Sequence, residues 1–163
     1  MEFVPIQDTK DHFEAFAALE REFTQYYINL GIGEQYGRIL PENLAIETLK
    51  SEFNEYRQQD GMFFFVKDGG KYIAYGAGKI EAMPQGYEVK KVGTISSMAV
   101  SAKFRGQGIG TMMKDRFFDW FRSRGITMCH IYVKPENAAA LKLYEKWGFK
   151  ADEYRMWKDL KSD

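Results

Sequence analysis

The chain has 163 residues, 45% hydrophobic, 16% aromatic and 28% charged, which suits one globular domain and excludes a disordered chain. Lysine plus arginine equals aspartate plus glutamate at 23 each, so the net charge of zero points to no nucleic-acid partner. The single cysteine, Cys129, rules out an internal disulfide, and the two histidines, His12 and His130, stand too far apart for a metal motif, so no metal is expected.

The first residues, MEFVPIQDTK, lack the basic segment and apolar stretch of a signal peptide. No apolar run approaches membrane-spanning length, so a cytoplasmic protein with no membrane contact is expected. Phe3 to Ile6 reads as a short strand. Asp8 and Asp11 offer helix caps, and Glu14 follows Asp11 at capping-box spacing. Phe16, Leu19, Phe23, Tyr26, Tyr27 and Leu30 then repeat at helical spacing, with a stop near Gly31. Pro41 suits the first turn of a second helix, whose apolar face is Ile46, Leu49, Phe53 and Tyr56.

From Gly61 the period changes to two. MFFFVKD, Gly69-Gly70 and KYIAYGAGKIEAM predict a hairpin with a two-residue turn, and VGTISSMAV predicts a third strand after the loop MPQGYEVKK. Ile109, Met112, Met113, Phe117, Trp120 and Phe121 mark a helix that Gly125 stops. MCHIYV predicts a buried strand, Asn137 to Trp147 a helix closed by Gly148, and FKADEYRMWKDL a final strand. The order β-α-α-β-β-β-α-β-α-β implies one α/β domain over residues 1–163. Its mixed, mostly antiparallel sheet would hold one right-handed parallel crossover from Thr94 to Val133, with helices on both faces.

The stretch MAVSAKFRGQGIG, Met98 to Gly110, joins the third strand of this group to a helix through alternate glycines. Helix-opening amides lack partners and carry a positive dipole end, and glycine lets an anion come close, so the loop suits a phosphate. Thr111 follows Gly110 with no intervening lysine, which fails the Walker pattern. Thr111 also stands where a dinucleotide fingerprint needs its third glycine. Arg-x-x-Gly-x-Gly, on Arg105, Gly108 and Gly110, remains beside a helix start without a ligand.

A second block, NAAALKLYEKWGF, lies one helix and one strand downstream. With it the chain resembles the GCN5-related N-acetyltransferase (GNAT) family over roughly residues 92 to 160. The family's Asn-x-x-Ala-x-x-Leu-Tyr-x-x-x-Gly-Phe pattern falls on Asn137, Ala140, Leu143, Tyr144, Gly148 and Phe149. The resemblance implies a splayed pair of parallel strands that admits the arm of acetyl-CoA. Main-chain groups of Met98, Ala99 and Val100 would bind that arm, and Asn137 would add a hydrogen bond or serve as a helix cap. Arg105, Gly106, Gln107, Gly108, Ile109, Gly110 and Thr111 would hold the pyrophosphate.

It further implies acetyl transfer to a primary amine by direct attack, with Tyr144 as general acid to the thiolate. A packed aromatic is the plainer reading of Tyr144. Many relatives carry a glutamate on the strand before the loop, but GTISSMAV holds Ser96 and Ser97 and no carboxylate. Glu81 would then act through a water, or remain a solvated strand residue. Alternation puts Cys129 and His130 on opposite faces, against a cysteine nucleophile. On the acceptor side, Tyr26, Tyr27 and Tyr36 would wall a pocket and Glu34 would hold a cation, with core packing as the alternative for the first two. The acceptor would be a small-molecule amine or a peptide or protein amine, and a homodimer is compatible with the family. A non-catalytic acyl-CoA-binding or sensing module is the alternative function.

Overall fold

The computed structural model describes residues 1–32, 45–58, 61–158 and 160. The strands β1 (Glu2–Pro5), β2 (Gly61–Asp68), β3 (Lys71–Ala82), β4 (Lys91–Val100) and β5 (Cys129–Ile131) form one sheet in chain order. The first three pairings are antiparallel, and β4 runs parallel to β5. The helices are α1 (Lys10–Asn29), α2 (Ile46–Gln58), α3 (Ile109–Ser123) and α4 (Ala138–Lys146). The mixed sheet with helices on both faces is therefore present. None of the described helices is long and apolar enough to cross a membrane.

The Gly69-Gly70 turn forms as expected, both residues having positive φ (52° and 81°) that suits a tight hairpin. Three expectations are corrected. The cap of α1 is Thr9, whose hydroxyl accepts from the His12 amide at 3.2 Å, while Asp11 sits inside the first turn. The expected strand MCHIYV shrinks to Cys129–Ile131 and is half-buried, because it lies at the sheet edge. The expected final strand is absent: residues 151–158 are exposed and have no regular structure. A period of two through Met156, Lys158 and Leu160 needs a strand to pair with, and the neighbouring edge is three residues long. Pro41 lies outside the described residues.

Two cores flank the sheet. One joins Phe64, Val66, Ile73 and Ile95 to Ile109, Met113, Phe117 and Phe121 of α3. The other joins Phe65, Tyr75 and Ala99 to Phe16, Ala17 and Leu19 of α1 and to Leu49 and Phe53 of α2. On the α3 side the sheet is bared by glycine. A methyl group at Gly93 would lie 2.6 Å from Phe121 ring carbons, and one at Gly78 would lie 2.8 Å from Phe117. Strand β4 also carries a bulge. Ala77 faces Ser97 while Gly78 faces Ile95, which leaves Ser96 as the extra residue. The bulge resets the alternation. Ile95, Met98 and Val100 face α3, whereas Ser97 and Ala99 face α1.

Gly93→Ala is expected to destabilise the fold by about 1–3 kcal/mol through overpacking against Phe121. Phe121→Leu in the same chain should recover part of that loss, giving a coupling that urea titration of both singles and the double would register.

Candidate functional site

Strands β4 and β5 pair at Gly93–Cys129, Thr94–His130 and Ile95–Ile131 and no further, although β4 runs on to Val100. The chain after β5 leaves the sheet for the cap of α4. The far half of β4, Ser96 to Val100, therefore has no described strand beside it on that edge. Beyond it come a 3-10 turn, Ala102–Phe104, and the glycine loop that opens α3. Gly106 and Gly108 have φ of 75° and 80°, and a methyl group on either would meet nothing within 4 Å. The first amides of α3 thus border open space. Together with the Arg105 charge they fit the diphosphate of coenzyme A.

Arg105 is anchored from two sides. Its Nε donates to the Val100 carbonyl at 2.9 Å, and its guanidinium lies 4.4 Å from the centre of the Tyr26 ring. Ile109 is buried beneath the loop and Thr111 is exposed at its rim. Gln107 donates to the Lys103 carbonyl at 3.1 Å. Asn137 is buried and caps α4, its Oδ1 accepting from the Ala140 amide and from the Tyr26 hydroxyl, both at 3.2 Å. The cap reading of Asn137 is thus realised, and Tyr26 links it to Arg105.

Tyr26 and Tyr27, expected at an acceptor pocket, come from the end of α1 to meet the opening of α4. Burial raises the Tyr27 pKa, offset by a hydrogen bond with Asn137. Tyr144 packs on Trp147 and Phe149, with ring centres 5.4 and 6.1 Å away. Burial, with a smaller push from Tyr27, raises its pKa to about 12, so the phenol keeps its proton across the neutral range. Glu34 and Tyr36 lie outside the described residues.

Glu81 sits on the α1 face of the sheet, but at the other end of the parallel pair. Its carboxylate is bound by Lys79 at 2.8 Å and accepts from the Thr94 hydroxyl, and these contacts hold its pKa below the ordinary carboxylate value. Thr94 also meets His130 Nε2 at 2.7 Å. Cys129 points to the opposite core, and burial raises its thiol pKa, which disfavours a nucleophile there.

A second carboxylate, missed in the sequence, approaches the bulge from above. Glu20 of α1 accepts a hydrogen bond from the buried Tyr75 hydroxyl, which is also 2.9 Å from Ser97 Oγ. Burial, with a smaller push from Glu52, raises the Glu20 pKa from 4.5 to about 7, and the Tyr75 hydrogen bond only partly offsets it. A glutamate one residue after the buried Leu19 was the available signal, since that stripe otherwise reads as core.

Because the folded protein holds the Glu20 proton more tightly than the unfolded chain, its contribution to stability falls as pH rises from about 4.5 to about 7. Glu20→Gln should therefore be more stable than the parent above pH 7, on the order of 2 kcal/mol, with the advantage fading toward pH 4.5. Urea unfolding at pH 5 and pH 8 measures the difference.

Comparison with known proteins agrees with this geometry. The model of the "Acetyltransferase (GNAT) family" matches residues 17–149. Mycothiol acetyltransferase of Amycolatopsis mediterranei is 28% identical over 120 residues, 73% of this chain and 38% of that protein. The [ribosomal protein bS18]-alanine N-acetyltransferase of Escherichia coli is 29% identical over 89 residues, 53% of this chain and 60% of that one. The chain thus spans under two thirds of the length of these curated relatives. Among solved structures, the BH1408 protein of Bacillus halodurans superposes with a TM-score of 0.82 at 19% identity, over 98% of this chain and 99% of that one. Aminoglycoside N-acetyltransferase AAC(6')-Iy, in complex with CoA, superposes at 0.70 with 17% identity, over 97% and 93%. The chain belongs to the acetyltransferase (GNAT) family and takes acetyl-CoA as its cofactor.

Proposed function

We propose that this chain is an N-acetyltransferase that moves the acetyl group of acetyl-CoA to a primary amine by direct attack, in a complex of both substrates. The observation that carries the reading is the end of the β4–β5 pairing at Ile95 and Ile131 in front of the α3 loop. We read the unpaired main-chain edge, the anion cradle and the protonated phenol of Tyr144 as the walls of one gap. Acetyl-CoA supplies a thioester whose carbonyl carbon accepts the amine and whose sulfur leaves with the electron pair.

The chain's own residues do the rest. The amides of Ile109, Gly110 and Thr111 and the remaining N–H groups of Arg105 hold the pyrophosphate, with Gly106, Gln107 and Gly108 shaping the cradle. Main-chain groups of Met98, Ala99 and Val100 align the arm as a strand would, and a β4 amide beside Val100 donates to the carbonyl oxygen as charge builds on it. Asn137 fixes the opening of α4, so Tyr144 can give its proton to the departing sulfur. Tyr26 and Tyr27 wall the gap from α1. Glu34 and Tyr36 are assigned to the acceptor mouth on the sequence alone. Glu81 is tied to Lys79 and held in its charged form, which makes it a weak base. It serves as a fixed negative charge on the face that a cationic amine enters. The acceptor is a small amine or a peptide amine in the cytoplasm.

One observation favours a second reading, an acyl-CoA-binding or sensing module: β4 carries no carboxylate from Thr94 to Val100. Thiol release from acetyl-CoA across small amines, polyamines, aminoglycosides, amino acids and peptides separates the two. Tight binding by calorimetry without release from any acceptor would replace the enzyme by the module.

Gly108→Glu should abolish coenzyme A binding while the far-UV circular dichroism stays native, because it places bulk and negative charge in the cradle. Tyr144→Phe should lower kcat by about 10²-fold, the scale of a positioned acid, with little change in cofactor affinity. Unchanged turnover would remove Tyr144 from its role.

A further inference from the structure

We infer that Glu20 is the proton acceptor of the transfer reaction, reached from the acceptor amine through the hydroxyls of Ser97 and Tyr75. The inference rests on the transferase reading above. It answers the question that the carboxylate-free strand raises, which is where the ammonium proton goes.

The geometry has three parts. The bulge at Ser96 turns Ser97 toward α1 at the point where β5 has just left β4, so the Ser97 hydroxyl borders the end of the gap. The Tyr75 hydroxyl lies 2.9 Å from Ser97 Oγ, and Tyr75 is fully buried on β3, so this contact is shielded from solvent. Glu20 closes the chain by accepting from Tyr75. Three elements (α1, β3 and β4) each contribute one oxygen to a continuous path. A packing role alone would not need it, because a phenylalanine and a glutamine would fill the same space.

The protons balance. The ammonium enters with one proton more than its nucleophilic form. That proton passes to Ser97 Oγ, the Ser97 proton to the Tyr75 oxygen and the Tyr75 proton to a Glu20 oxygen, so both hydroxyls are restored and Glu20 becomes a carboxylic acid. The freed lone pair forms the C–N bond as the C–S bond breaks, Tyr144 protonates the sulfur, and the second proton shed by the acylated nitrogen restores the Tyr144 phenol through water. Around Glu20 stand Glu52 and Tyr56 of α2, Tyr75 of β3 and Tyr27 of α1, all anionic or neutral. No cation among them pins the carboxylate in its charged form. Desolvation and Glu52 both favour proton uptake, and the resulting pKa of about 7 suits a base at neutral pH.

The test combines a titration with kinetics, both on the whole chain. With coenzyme A bound, carbon-13 carboxyl NMR should show one glutamate titrating near pH 7 that is missing in Glu20→Gln. With an acceptor that the parent acetylates, kcat/KM should rise with pH through the same value. Glu20→Gln should lose that rising limb and lower kcat about 10²-fold, with coenzyme A affinity kept. Tyr75→Phe and Ser97→Ala should lower kcat about tenfold or more. Glu52→Gln should keep kcat and move the limb to lower pH, which a purely structural Glu20 would not produce. A Glu20 carboxyl titrating below pH 5, or a Glu20→Gln protein that keeps both kcat and the limb, overturns the inference and leaves the transferase reading intact. Coenzyme A binding without transfer by the parent refutes the transferase reading and this inference with it.

Discussion

The approach of α3 to the sheet is the constraint on which the site depends. Phe117 and Phe121 lie against Gly76, Gly78 and Gly93, where any side chain would push the helix away. That contact sets the height of α3 above the sheet. The height in turn sets where its first turn stands relative to the end of β4. The cradle at Gly106 and Gly108 is an assembly of main-chain atoms, so it cannot adjust by changing rotamers. Its position is inherited from aromatic packing roughly three helical turns away, at 1.5 Å of rise per residue. Core and site are one mechanical object here, which agrees with the incompressibility of close-packed interiors.

Two carboxylates share the α1 face of the sheet and are driven in opposite directions. Glu81 gains Lys79 and Thr94 and is held charged, whereas Glu20 loses water and gains no cation among the described residues. Neither outcome follows from the residue type, and neither follows from a net charge of zero. This separation by environment is the general way in which one fold obtains both a fixed charge and a titrating group near neutrality.

What was legible in the sequence was local. The hairpin at Gly69-Gly70, the loop from Arg105 to Thr111 and the block from Asn137 to Phe149 each encode their own backbone, so spacing disclosed their shape, while the resemblance to the GNAT family suggested what the loop and the block are for. The meander β2-β3-β4 and the parallel crossover to β5 followed from connection lengths. What escaped was long-range. Glu20 and Ser97 are 77 positions apart in the chain and meet through Tyr75, and no periodicity records that. Tyr26 looked like part of an apolar stripe, and its partners Arg105 and Asn137 come from the other half of the chain. The final strand failed for the converse reason, since alternation was present and a long enough neighbour was not. The cap of α1 was off by one plausible residue, because Asp8, Thr9 and Asp11 all offer a suitable oxygen.

The bulge at Ser96 has a consequence for how this gene can change. Ser96 is exposed, so most replacements of its side chain meet water and little else. Removing the residue is absorbed as well. With Ser96 gone the strand returns to plain alternation, which keeps Ile95, Met98 and Val100 under α3 and Ser97 and Ala99 under α1. A one-residue deletion further along, at Met98 for example, has no such outlet and would exchange the faces of the residues beyond it. Changes of length in β4 should therefore survive at Ser96 and be purged between Ser97 and Val100.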